Sequence, residues 1–204
     1  IITTFFSHPA DCAVPIVKGY KVTVIQPDSE GYPDIEAFKA ALSDRTAAIF
    51  FTNPEDTGIF NVRIKEFTRL AHEKNVLCCY DQANANGLLG ITRTAEANFD
   101  MSFFNLHKTF GAPHGCGGPA TGMVAAKKEL RPYLPKPIVE YSEDKGYYLD
   151  FDLPKSCGKI KSFWGVAPVV VKAYSWIMAL GADGLREVSR VAILNNNYCM
   201  KKIL

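Results

Sequence analysis

The chain has 204 residues, 48% of them hydrophobic, which suits one ordinary domain, or one large domain with a stub of a second, around a real core. Its 23 basic and 21 acidic residues leave a net charge of only +2, so nothing calls for a nucleic-acid partner or a charged membrane surface. No apolar run approaches the roughly 18 residues of a membrane span, and Ile1–Phe6 has neither the basic start nor the cleavage pattern of a signal peptide.

Val22–Gln26 reads as a strand, ended by the turn residues Pro27–Gly31. Asp34 fits the N-cap of a helix whose apolar positions Ile35, Phe38 and Leu42 recur at helical spacing. The apolar run Thr46–Phe51 is expected as a buried parallel strand, and Asn53-Pro54 and Gly58 mark the loop after it. Ile64, Phe67, Leu70 and Ala71 form the stripe of a second amphipathic helix. Val76–Tyr80 is another buried strand, with Asp81 at its carboxyl end, and Phe99–Phe104 and Ala120–Ala126 are further strand candidates. A short helix is expected around Lys127–Leu130. Tyr141–Asp152, rich in charge and aromatic rings, breaks the pattern and reads as a hairpin. A long helix over Val166–Leu180, with Gly181 as its C-cap, precedes a final helix over Asp183–Lys202. The chain opens without Met and stops inside that helix, as expected of a piece of a longer protein.

Strands alternating with helices give an α/β fold with a mostly parallel sheet flanked by helices. In such sheets ligands gather at the carboxyl ends of the strands. Thr52-Asn53, Asp81–Asn84 and Asn105–Thr109 all fall there. The six cysteines, Cys12, Cys78, Cys79, Cys116, Cys157 and Cys199, include no CxxC pair. Reduced thiols of a cytoplasmic protein are therefore expected, not a disulfide frame or a zinc site, and no metal is expected.

Lys108 follows a strand directly, and Phe103, Phe104 and Phe110 are expected to desolvate it. Desolvation favours the neutral amine that attacks an aldehyde. A surface lysine in a loop is the plainer reading. Asp81, at the end of an apolar strand, is costly to bury without a partner. The protonated ring nitrogen of pyridoxal phosphate (PLP) is such a partner, although an N-cap or a structural ion pair accounts for an aspartate equally well. An Asp at one strand end and a Lys at the next, 27 residues on, point to the cofactor together more strongly than either alone. Ala83 is small enough to lie against a planar ring, and His8 can stack on the other face. His107 can donate to phosphate or orient the lysine, and Thr52 and Asn53 can bond the cofactor's phenolic oxygen. The glycine-rich loop His114–Pro119 offers backbone N–H groups to an anion, but lacks the strand and helix of a dinucleotide fingerprint.

The segments YDQANANGLLG and NLHKTFGAPHGCGGPATGMVAAKKELRPYLPKP resemble the glycine decarboxylase P-protein family of the glycine cleavage system, its C-terminal half or second-subunit type. FTNPEDTGIF, SFWGVAPVVVKAY and GADGLREVSRVAILNNNY extend the resemblance over Gly19–Tyr198. It implies the fold of the aspartate-aminotransferase-like PLP-dependent transferases, with a mixed seven-stranded sheet. It implies a PLP-binding large domain over residues 1–165, with an excursion around 138–155, and a helical segment over 166–204 leading towards a truncated C-terminal small domain. It also implies that Lys108 holds PLP as a Schiff base and acts in catalysis. Asp81 would pair the ring nitrogen, Ala83 and His8 would flank the ring, and Thr52, Asn105 and His107 would complete the cofactor site.

The implied reaction is decarboxylation of glycine with transfer of the aminomethyl group to a lipoyl H-protein. The implied partners are that protein and the complementary N-terminal half or first subunit, in a homo- or hetero-oligomer. The family follows its histidine with Gly-Thr-Asn-Pro-Ala-Ser, whereas Pro-Ala-Asp-Cys-Ala-Val follows His8. That difference keeps two alternatives open. One is a divergent PLP-dependent lyase or aminotransferase on another amino acid, the other a non-catalytic subunit or fragment.

Overall fold

The computed structural model describes residues 1–112, 114, 120–162 and 165–204. Residues 115–119 of the glycine-rich loop and residues 163–164 lie outside the described residues. Six strands form one sheet: β1 (Ile2–Thr4), β2 (Thr23–Ile25), β3 (Ala48–Thr52), β4 (Leu77–Asp81), β5 (Met101–Asn105) and β6 (Gly122–Ala126). Their order is β2-β1-β3-β4-β5-β6. The first five run parallel, and β6 pairs antiparallel with β5. The sheet is thus mostly parallel, with six strands among the described residues where the resemblance implies seven.

The strands of the central run are apolar because helices cover them. Helices α1 (Pro9–Val17), α2 (Ile35–Ala41) and α3 (Ile64–His72) alternate with the strands. The Asp34 carboxylate caps α2, accepting from Glu36 N at 2.8 Å and Ala37 N at 3.1 Å. The inner stripes of α2 and α3 meet the sheet in a knot of three buried phenylalanines. Phe38, Phe51 and Phe67 have ring centroids 4.8–5.8 Å apart, in edge or tilted contacts.

Asp100 fastens the amino end of β4 to α3 and to the end of β6. It accepts from Cys78 N at 2.7 Å, from the His72 ring at 2.9 Å and from Lys127 Nζ at 2.8 Å. Burial opposes its ionisation, but Lys127 and His72 hold its carboxyl below the usual range. His72, Cys78 and Asp100 bring ligand-type atoms within 4.8 Å of one another, yet the Lys127 ammonium already balances the carboxylate. His72, given no role from sequence, is therefore a structural partner.

Two elements near the N-terminus are not legible from sequence. β1 is only three residues long, and α1 starts on Pro9 and contains Pro15. Residues 141–152 do enter a hairpin, of β7 (Ile138–Ser142) and β8 (Gly146–Asp150). The helix expected around Lys127–Leu130 is a short 3-10 turn over Lys128–Tyr133. Helix α4 (Ala167–Ile203) holds a non-helical residue at Gly181 (φ 62°), where the sequence places a break. No helix among the described residues is long and apolar enough to cross a membrane.

Phe67→Ala should remove about 3–5 kcal/mol of stability by opening a cavity between α2, α3 and the sheet. A lower denaturant midpoint with an unchanged slope checks this.

Candidate active site

The carboxyl ends of β3, β4 and β5 lie side by side, because Thr52 is in register with Asp81 and Asp81 with Phe103. The three polar stretches singled out in the sequence therefore share one rim of the sheet. Asp81 is buried, at 2% exposure. Its Oδ1 accepts from Ala83 N at 2.8 Å, which bends the chain back and packs the buried Ala83 beside the carboxylate. Its Oδ2 is buried with no hydrogen-bond partner. A buried carboxylate oxygen left free is expensive unless something else donates to it. The ring N–H of PLP would be such a donor, and a buried carboxylate oxygen beside a residue as small as Ala83 fits that group.

Lys108 sits on the turn after β5, its N–H bonded to Asn105 O at 3.2 Å. The amine is close enough to Asp81 for its charge to favour the ionised carboxylate. The side chain is exposed, however. The expected desolvation by phenylalanines fails because Phe110 turns away into a second apolar cluster with Leu106, Val169 and Ala173. Its ring meets Trp176 of α4 edge-on at 6.2 Å.

The loops after β4 and β5 are tied together by Thr109 Oγ1, which accepts from Ala85 N at 3.0 Å. Helix α4 braces the first of them, where Ser189 Oγ donates to Leu89 O at 2.9 Å and Arg186 Nε to Gly90 O at 3.2 Å. Gly90 is left-handed (φ 72°), and a Cβ there would lie 3.3 Å from the Arg186 backbone, so this approach requires glycine.

His8 stands at the opposite wall as the N-cap of α1, its Nδ1 accepting from Ala10 N at 3.1 Å. Its own N–H donates to Thr52 Oγ1 at 3.0 Å, and that hydroxyl donates to Asp11 Oδ2 at 3.0 Å. Thr52 has only one O–H, and Asp11 takes it. It thus holds the wall together instead of presenting a free donor to a phenolic oxygen. Asn53 is likewise engaged with both the N–H and C=O of Asn61, at 2.8 and 3.3 Å. Asn105 ends β5, and His107 lies behind it with Nδ1 3.4 Å from Thr121 O.

Asp11 is the residue that the sequence reading missed. An acidic residue in the first turn of a helix is ordinary, and only the fold shows this one to be 3% exposed beside Asp81. Burial pushes both carboxyls up, and the charge of Asp81 pushes Asp11 further, to about 8.

Residues 1–138 match the model of the aminotransferase class-V family. Across its whole length the chain is 45% identical to a protein of Caldanaerobacter subterraneus subsp. tengcongensis named probable glycine dehydrogenase (decarboxylating) subunit 2, of which it covers 42%. A protein of the same name from Pyrococcus abyssi is 45% identical over 97% of the chain and 39% of its own length. The chain thus spans about two fifths of the length of these relatives. A PLP-dependent aminotransferase from Streptococcus suis shares the fold with a TM-score of 0.65 at 18% identity, covering 98% of this chain and 49% of its own.

The native state keeps the Asp11 proton to higher pH than the unfolded chain. Stability from this group is therefore complete at low pH and is lost as pH rises from 3.8 through about 8. Asp11→Asn should flatten that decline and exceed the wild type in stability at neutral pH. Denaturant midpoints across the interval check it.

Proposed function

The chain belongs to the aminotransferase class-V family, and from that premise we propose that it is the PLP-binding part of a glycine-decarboxylating enzyme of the glycine cleavage system. The observation that carries the reading is the buried, unpartnered Oδ2 of Asp81, one strand away from the turn that bears Lys108. The names of the 45% identical relatives support glycine as the substrate. Their designation as subunit 2 supports a complementary first subunit or N-terminal half, and the reaction type supports a lipoyl H-protein as acceptor.

Lys108 would hold the cofactor covalently and, released from it, move a proton at its Nζ. Its exposure leaves the amine within reach of an entering amino acid. Asp81 Oδ2 would accept from the ring N–H and keep that nitrogen protonated, since burial makes a carboxylate facing a cation a strong pair. Ala83 and the His8 imidazole would confine the ring on either side. Asn105 and His107, on the edge where β5 gives way to the lysine turn, would orient the lysine or meet the phosphate. PLP, when bound, supplies the electron sink for loss of the carboxylate as CO2.

A PLP enzyme acting on another amino acid is the second reading. The observation favouring it is Asp11, an acidic group beside the cofactor site in the segment that departs from the family pattern. Exchange of labelled CO2 with glycine, in the full-length protein with its complementary subunit and lipoyl H-protein, separates the two. Exchange is expected. Its absence, with turnover of another amino acid, overturns the glycine assignment.

Lys108→Ala should abolish the visible absorbance of bound PLP and lower exchange by about 10²–10⁴-fold. An unaltered spectrum in that variant overturns the role of Lys108.

A further inference from the structure

Asp11 has no part in the chemistry above, yet it shares the Asp81 enclosure, and both side chains are almost fully buried. Two carboxyls held together away from water do not both ionise; like charge forces the pair to keep one proton. The neighbours decide which group keeps it. Asp81 accepts a main-chain N–H from Ala83 and a side-chain hydrogen bond from Asp11, and it feels the positive charge of Lys108. Asp11 accepts from the neutral Thr52 hydroxyl and feels the like charges of Asp81 and Asp56. The charged and titratable groups facing the pair are thus His8 at the start of α1, Asp56 beyond β3, the Cys79 thiol and Asp81 on β4, and Lys108 beyond β5. The Thr52 bond alone favours charge on Asp11; the Ala83 amide, Lys108 and the like charge of Asp56 put the negative charge on Asp81 and the proton on Asp11. The Thr52 hydroxyl occupies Oδ2 of Asp11 as a donor, so the acid proton belongs on Oδ1.

We propose that Asp11 is a positioning residue, a neutral acid held against Asp81 so that the pair presents one negative charge, through Asp81 Oδ2, to the ring nitrogen of PLP. The inference rests on the cofactor reading only for what faces Asp81. Thr52 sets the geometry from both sides, since its hydroxyl also accepts from His8 N and so fixes the start of α1. Loss of the Asp11 proton adds a second negative charge beside the ring, which binds the ring proton more tightly and shifts the absorbance of the bound cofactor.

Infrared spectroscopy of the full-length protein carrying ¹³C-labelled aspartate reads the proton directly, with or without PLP. The wild type should show a carboxylic-acid C=O band at neutral pH that vanishes with a midpoint of about 8. Asp11→Asn, which is isosteric and permanently neutral, should lack the band. It should also lose the pH step in visible absorbance that the wild type shows. Thr52→Val, which removes the donor to Asp11, should move the midpoint higher. The inference is overturned if the wild type has no acid band at neutral pH, or if Asp11→Asn keeps it. A protein that keeps the band but takes up no PLP overturns the cofactor reading, and with it the positioning role. One that takes up PLP without the band overturns the inference about Asp11 alone.

Discussion

A carboxylate buried at the end of a strand organises this molecule. Asp81 is 2% exposed, and its two oxygens have different fates: one is closed by the Ala83 amide and the other is left without a donor. Burial of such a group is tolerated only where the surroundings repay its lost hydration. Here the repayment is spread over a backbone N–H, the Lys108 ammonium, and a second carboxyl that keeps a proton and donates to it. The same arrangement that makes this burial costly leaves one carboxylate oxygen free for a cationic donor.

The rest of the fold serves to keep that end of the sheet in place. The phenylalanine knot under α2 and α3 fixes β3, and the Asp100 bonds to Cys78, His72 and Lys127 fix β4 at its far end. With both strands set in register, Thr52 and Asp81 must lie side by side. Thr109 then couples the β4 loop to the lysine turn, and α4 braces both, through Trp176 on one and Ser189 and Arg186 on the other. The longest helix of the chain thus contributes to the site without supplying a side chain to it.

The wall formed by α1 shows how a short segment gains a function from its setting. A proline start and a His8 N-cap are local features. Thr52 turns them into part of the site by bonding both the His8 N–H and the Asp11 carboxyl through one oxygen. Asp11, at the start of this segment, is thereby set beside the buried Asp81.

Local sequence determined the strand and helix types of the central run, because apolar runs and helical stripes are signals carried by consecutive residues. It also placed Asp81 and Lys108 at the ends of successive strands, since period and turn residues locate those ends to within a residue or two. It did not disclose β1 or α1, whose three-residue length and internal proline hide them, nor that Lys108 faces solvent while Phe110 turns towards α4. The partnership of Asp11 with Asp81 was equally out of reach, for 70 residues of chain separate them. Such a contact exists only after the parallel strands have stacked, because burial and neighbouring charge, not residue type, decide which of two aspartates keeps a proton.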